Sequence, residues 1–471
     1  MLKEAVFKQI TDIFGGRLVV KDSDLEDYSH DEYPLPDMRS KPDCVVLPEN
    51  AQQISRLLKL ANKEGFAVIP RGGGTGLCGG CVALGSGKRG SVVLSLEKMN
   101  KVLELDYKNY FAVAQAGVRL MDFYKEVEEK GFFFPPHPGD ETAMLGGVIA
   151  TNAGGSRTVK YGVVRNFIKG LEVVLPNGEI IQLGGKILKN STGYSLMHLM
   201  IGSEGTLGVI TKAYIHLLPP PGAEITLIAQ FDRLEEAIQT VPDILGAKIV
   251  PMAVEFLERD VVNAAENFLG KSWPCKGGNA YLMVILDGST EDEVLSRAEA
   301  IGEICLKNKS SDVFIASQKN KQKEILEFRS QLYETMKRYM IDVLDIVVPP
   351  SEIPAHIKEV HSISARYRIW LPTFGHASDG NVHTHIMKAK FVSGRWEEMP
   401  NDEWQSKYPL VKKELHNDAK NRGGMISGEH GIGFIKKQYL SMSVGAAQLE
   451  VFRSIKKALD PSNILNPGKI I

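Results

Sequence analysis

The chain has 471 residues, 43% of them apolar and 24% charged, which is the balance of a globular protein long enough for roughly two to four domains. Lys and Arg number 56 against 57 Asp and Glu, so the net charge is -1 and no electrostatic footprint for nucleic acid is expected. No apolar run of about 18 residues occurs, and the charged start Met1-Leu-Lys-Glu-Ala-Val-Phe does not read as a signal peptide; a cytoplasmic protein without a membrane span is expected.

The first 38 residues read as an N-terminal helical segment. Ile54, Leu57, Leu58 and Ala61 then fall on one helical face and stop at Gly65. Leu120, Phe123, Tyr124 and Val127 repeat the pattern and stop at Gly131. Around them lie short β-branched runs at Phe66–Ile69, Ser91–Leu94, Phe111–Ala114, Glu172–Leu175 and Val209–Thr211, bounded by turn residues. Residues 39–218 are therefore expected to be one α+β domain. Leu218-Pro-Pro-Pro-Gly222 is a stiff break. Beyond it come a strand at Glu224–Ile228, a helix from about Leu234 and a strand–helix pair over 280–307, which predicts a ferredoxin-like cap within 219–424. Residues 425–471 return to a helical pattern with a glycine-rich insert.

Five cysteines, Cys44, Cys78, Cys81, Cys275 and Cys305, are too sparse for a disulfide framework or an iron–sulfur cluster. Cys78-x-x-Cys81 sits in a glycine-rich loop and reads as two small packed thiols. That loop, Pro70-Arg-Gly-Gly-Gly-Thr-Gly76, follows a predicted strand, and Gly74-x-Gly76-x-x-Gly79 matches the dinucleotide fingerprint. Its context rejects the match: Gly80, Gly85, Gly87 and Gly90 follow, and they cannot form the helix that fingerprint needs. Two more clusters, Gly146-Gly147 with Asn152-Ala-Gly-Gly-Ser156, and Gly202-Ser-Glu-Gly-Thr206, share the same α+β region. Consecutive glycines present backbone N–H groups in concave nests that take diphosphate oxygens. Three such clusters suggest an extended cofactor in a backbone-lined trough.

The second half carries His376-Ala-Ser-Asp-Gly-Asn-Val-His383, whose Asp-Gly-Asn turn lets two imidazoles converge on one ion. Ser427-Gly-Glu-His-Gly-Ile-Gly433 supplies a carboxylate and a further imidazole on a tight loop. Two His and one carboxylate with open positions suit a divalent metal acting as a Lewis acid. His385 shares a face with His383 if the chain is extended there, as core or as a supporting residue.

The glycine motifs, with Pro135-x-x-Pro-Gly139, Leu145-Gly-Gly147, Tyr161-Gly162 and Gly202-Ser-Glu-Gly-Thr-Leu-Gly208, resemble the FAD-binding domain of the vanillyl-alcohol-oxidase flavoprotein family. Within it the chain is similar to the branch of the glycolate oxidase large subunit and the FAD-dependent D-lactate and D-2-hydroxyglutarate dehydrogenases, from about Pro42 to Gly468. The resemblance implies an α+β fold: a two-subdomain FAD-binding domain, a ferredoxin-like cap, and a C-terminal segment, 425–471, completing the active site and the FAD domain. It implies that Arg71, Gly72, Gly73, Gly74, Thr75 and Gly76 meet the FAD pyrophosphate. Glu204, Gly205, Gly208, Val209 and Ile210 would meet the adenine end. Further FAD contacts are expected from Pro138, Gly139, Gly146, Gly147, Asn152, Gly154, Gly155, Ser156, Tyr161, Gly162 and Asn466. Thr75 stands where covalently flavinylated members often have His, so FAD is expected to be non-covalent.

The same resemblance makes His376, His383 and Glu429 ligands of Zn, Mn or Fe, His430 the catalytic base, and Asn381 a residue near flavin and metal. Ser378 departs from the family's usual Gly. Arg329 matches an arginine that binds the substrate carboxylate, a task suited to a planar guanidinium fork. Val343 stands where some 2-hydroxyglutarate enzymes have Lys, which favours a small monocarboxylate. The implied reaction is oxidation of a D-2-hydroxy acid, D-lactate first, with hydride transfer to flavin N5. Electrons are expected to pass to a protein acceptor such as electron-transfer flavoprotein. Glycolate or 2-hydroxyglutarate oxidation, and an idle FAD-binding electron-transfer subunit, are the alternatives.

Overall fold

The structure, a computed structural model of the chain, describes residues 1–20, 22–87 and 89–471. Residues 1–154, 163–220 and 429–471 form one compact unit, and residues 155–162 with 221–428 form a second.

The first unit is built on two sheets. In one, Val19–Val20, Cys44–Val46, Ser91–Ser95 and Ala67–Arg71 lie in that order, the last three parallel. Parallel strands need a crossover, and the helix Ala51–Glu64 provides it between Cys44–Val46 and Ala67–Arg71, which flank Ser91–Ser95. Asn50 caps its start by accepting the Gln53 N–H at 3.0 Å. The four apolar positions on its predicted face are fully buried, and Gly65 ends it in the left-handed conformation at φ 78°. Burying Ile54, Leu57 and Leu58 contributes about 1.5–3 kcal/mol each. The other sheet is antiparallel, in the order Val102–Asp106, Phe111–Gln115, Val209–His216, Ile168–Val174, Ile180–Gly184. The end of the chain closes the first sheet. Val68 N–H donates to Ile464 O and Asn466 N–H to Val68 O, both at 2.8 Å, so the tail covers the open edge of the strand Ala67–Arg71.

The second unit contains a seven-stranded sheet in the order Asp312–Ala316, Ala223–Phe231, Ala280–Gly288, Ala253–Glu258, Thr373–His376, Asn381–Met387, Met340–Val347. Its first four strands follow the 4-1-3-2 order of a ferredoxin-like fold, with helices Leu234–Gly246 and Glu291–Lys307 as crossovers. The other three extend that sheet beyond the predicted βαββαβ alternation. Residues 155–162 join this unit through Asp287, which receives Lys160 Nζ at 2.6 Å and the Tyr161 hydroxyl at 2.5 Å. No helix among the described residues is long and apolar enough to cross a membrane.

Candidate active site

The strands Thr373–His376 and Asn381–Met387 form a hairpin turned by Ala377–Gly380. Gly380 has φ 88°, and a Cβ there would lie 1.9 Å from Val348 O, so the turn requires glycine. Cross-strand partners point to the same face of a sheet. His376 pairs with Asn381 and with Glu255, Phe374 with His383, and His383 with Asp345. One face of four neighbouring strands therefore carries Glu255, His376, Asn381, His383 and Asp345. The two imidazoles stand edge to face with centroids 5.5 Å apart.

Each pole of this face has a buried carboxylate. Glu255, 1% exposed, bonds His376 Nδ1 through Oε1 and accepts Arg329 Nε (3.0 Å) and Nη2 (2.5 Å) at Oε2. Burial pushes its carboxyl up, but His376 and Arg329 outweigh burial and hold it down at about 2. Asp345, fully buried, accepts Asn381 Nδ2 at 2.9 Å, the Ser427 hydroxyl at 2.7 Å and Gly428 N–H at 3.0 Å. Its Oδ1 lies 3.9 Å from His383 Nδ1. The segment Met425–Gly428 runs along the strand Met340–Val347, with Met425 N–H on Val347 O at 2.8 Å and Gly428 N–H on Asp345 O at 2.9 Å. Glu429 and His430 follow Gly428 directly in the chain, and both are half-buried.

This arrangement refines the expectations. Two fork nitrogens of Arg329 already face Glu255, and its guanidinium lies 4.9 Å over the Phe374 ring, so a free bidentate fork is not what the arginine presents. His376 uses Nδ1 internally, on Glu255 Oε1. His385 is core: its Nδ1 meets Pro372 O at 3.3 Å and its ring stacks on Phe374 at 4.6 Å. Val343 pairs with His385 and is buried. Sequence reasoning missed Glu255 and Asp345; the signal for both was a carboxylate flanked by apolar residues inside a strand pattern.

In the first unit, the loop Gly72–Gly76 has the character of an anion cradle. Among the described residues, the N–H groups of Gly72, Gly73, Gly74, Thr75 and Gly76 donate to no protein acceptor. Arg71 is at the base of this cradle, its buried side chain giving Nη1 to His30 O (2.7 Å) and Cys81 Sγ (3.3 Å) and Nη2 to Asp27 O (3.1 Å). Gly147, in the first turn of the helix Leu145–Thr151, and Gly139 have open space where a Cβ would be. Gly146 and Gly208 are instead close-packing positions, where a Cβ would lie 2.7 Å from Ala116 Cβ and 2.5 Å from Val173 Cγ1. Val209 and Ile210 begin a buried strand, and Gly205 turns at φ 67° before it. Asn152 ends the helix Leu145–Thr151 at φ 52° and accepts Arg165 N–H at 3.1 Å; Gly154 follows it in the same unit. Gly155, Ser156, Tyr161 and Gly162 belong to the second unit, and the Tyr161 hydroxyl is bonded to Asp287 there.

Asp31 props the loop from below, its carboxylate accepting Tyr33 N–H at 3.1 Å and Gly79 N–H at 2.7 Å. Burial raises its pKa to about 6 despite those donors. A raised acid favours the fold while protonated. Its contribution is thus complete below the unfolded carboxyl value near 4 and fades as pH rises through 6, by up to ~2–3 kcal/mol. Urea melts from pH 4 to 7 should show this decline, and Asp31→Asn should flatten it; an unchanged slope would refute the assignment.

The chain matches the family described as FAD linked oxidases, C-terminal domain, over residues 220–470, and that described as FAD binding domain over residues 42–184. It belongs to the FAD-linked oxidases. The D-lactate dehydrogenase of Archaeoglobus fulgidus is 42% identical over 428 residues, 91% of each chain. That of Anaerostipes hadrus is 37% identical over 99% of this chain and 97% of its own. The glycolate oxidase subunit GlcD of Bacillus subtilis is 37% identical over 94% and 91%. Among solved structures, p-cresol methylhydroxylase with substrate bound superposes with a TM-score of 0.77 at 17% identity, covering 100% of this chain and 97% of that one, a likeness of fold. This FAD-linked oxidase is an oxidoreductase, and the unpartnered amides of Gly72–Gly76 are a donor set that fits a diphosphate.

Proposed function

We propose that this oxidase converts a D-2-hydroxy acid, D-lactate foremost, to the 2-oxo acid. The single observation carrying the reading is the sheet face on which Glu255, His376, His383, Asn381 and Asp345 gather, because it combines imidazole donors, buried carboxylates and Arg329. The near full-length relatives, D-lactate dehydrogenases and a glycolate oxidase subunit, support the substrate class.

The division of labour follows from the side chains. His376, His383 and Glu429 offer borderline N/O donors and would be the residues to hold a divalent ion, Zn, Mn or Fe, which would supply Lewis acidity at the substrate oxygens. Arg329, held by Glu255 through Nε and Nη2, offers its remaining N–H groups to the substrate carboxylate. Asn381, fixed by Asp345, keeps its amide orientation beside the substrate. His430 takes the hydroxyl proton, the work of a base with a near-neutral pKa. FAD, held without a covalent bond, supplies the hydride acceptor. Buried Val343, beside His385, leaves no cation at that position for a second carboxylate, which favours lactate over 2-hydroxyglutarate. For reoxidation we propose a protein acceptor such as electron-transfer flavoprotein, since the sequence carries no usable NAD fingerprint. Five free cysteines suit a reducing compartment, the cytoplasm.

The test is an anaerobic visible spectrum of the FAD-reconstituted, metal-replete protein with D-lactate, L-lactate and glycolate in separate cuvettes. Bleaching by D-lactate alone is the expected result. Bleaching by none of these, nor by D-2-hydroxyglutarate, would remove the reading.

A further inference from the structure

Glu204 was expected to touch FAD through the turn Gly202–Thr206, yet its carboxylate is used elsewhere in the first unit. Oε1 accepts Ile432 N–H at 2.8 Å and Oε2 accepts Gly433 N–H at 2.7 Å, two and three residues beyond His430. Two charge-assisted bonds to consecutive amides fix a backbone direction as well as a place. The glycines make this approach possible. Gly431 has φ 82°, and a Cβ on it would fall 2.9 Å from Glu204 Cδ; a Cβ on Gly433, at φ 53°, would fall 2.1 Å from Cys78 O.

Glu204 is itself held by the segments expected to line the FAD trough. Its N–H donates to Ala150 O at 2.8 Å, at the end of the helix Leu145–Thr151, whose first turn holds Gly146 and Gly147. Its carbonyl accepts Asn466 Nδ2 at 2.8 Å, and the same amide reaches Gly80 O at 2.9 Å. The residue sits at φ 50°, a left-handed conformation that a glutamate keeps only when its surroundings over-determine it. Asn466 Oδ1 is buried and has no partner among the described residues.

We infer that Glu204 is a positioning residue, which ties the order of the Glu429–Gly433 loop to occupancy of the FAD trough. The inference rests on reading His430 as the base. It makes the Gly202–Thr206 turn a relay: whatever orders the helix Leu145–Thr151, the glycine loop and the tail also sets the backbone that carries the base.

Amide hydrogen exchange over the peptide 429–436, with and without FAD, tests this in the full-length protein. The wild type should gain protection there on binding FAD. Glu204→Gln, which sets an amide donor against one of the two N–H groups, should still bind FAD but lose that gain. Its flavin should be reduced by D-lactate at least about ten-fold more slowly per bound flavin, with half-saturation within about two-fold of wild type. Gly431→Ala, which presses the same contact from the other side, should behave alike and serves if Glu204→Gln folds poorly. Unchanged exchange in both variants overturns the inference, and loss of FAD from Glu204→Gln makes the residue a cofactor ligand instead. If no D-2-hydroxy acid reduces the wild-type flavin, the proposed reaction falls while the exchange arm still decides the role of Glu204.

Discussion

Glu255→Gln should cut substrate-driven flavin reduction by a factor of about a thousand or more and lower stability by about 3–5 kcal/mol, the cost of leaving a buried charge uncompensated. The substitution keeps the shape of a side chain that is 1% exposed, so cavity formation does not explain the loss. It removes the charge shared by Arg329 Nε and Nη2 on one oxygen and by His376 Nδ1 on the other. An amide has one acceptor oxygen, so one of these two neighbours must face an NH2 group. Whichever is displaced, the reaction loses either the arginine's aim at the carboxylate or the imidazole's fixed tautomer, and misplacement of that kind costs orders of magnitude. Urea melts would give the stability change and anaerobic stopped-flow the reduction rate. A variant reducing within ten-fold of wild type would show that the network serves only to hold the sheet together.

The second large effect is expected from Gly74→Ala. A Cβ at this position lands 2.2 Å from Arg71 Nη2 and 2.6 Å from Cζ, on a backbone with φ 77°. A long side chain usually yields to such a clash, but here the guanidinium is held by His30 O, Asp27 O and Cys81 Sγ. The loop must therefore move, and with it the five amides that form the anion cradle. FAD affinity should fall at least ten-fold, with a stability loss of about 1–3 kcal/mol from the forced conformation. Bound flavin per chain, read from the visible spectrum, is the measurement. Gly185→Ala, which meets nothing within 4 Å, is the control. Normal flavin content in Gly74→Ala would mean that the cofactor does not depend on this loop.

What could be read from the sequence were features whose cause is local. The helix ending at Gly65, the ferredoxin-like alternation after Leu218 and the Asp-Gly-Asn turn all follow from the period, turn chemistry and φ of neighbouring residues. What escaped were pairings across long stretches of chain. Glu255 and Asp345 acquire meaning from His376, Arg329, Asn381 and Ser427, whose neighbourhood exists only once the sheet's strand order is set. For the same reason the segment of His376 and His383 was legible as a turn but not as part of the ferredoxin-like sheet. Residues 155–162, inside the stretch that matches the FAD binding domain family, group with the second unit because Tyr161 and Lys160 find Asp287 far along the chain. Arg329 was legible as an arginine worth having, and its internal partner was not.

The closure of the first sheet by Ile464–Asn466 bears on how the molecule is made. Ribosomes deliver residues 221–428 before the strand Ala67–Arg71 can meet the segment that covers its edge, so the second unit emerges whole while the first waits. Throughout that interval the nascent chain carries an open edge and lacks Asn466, whose amide holds the carbonyls of Glu204 and Gly80. Delivery of Ile464–Asn466, rather than completion of any earlier segment, is then the event that lets the first unit finish, and a chain cut before Ile464 would leave its sheet edge open to other chains.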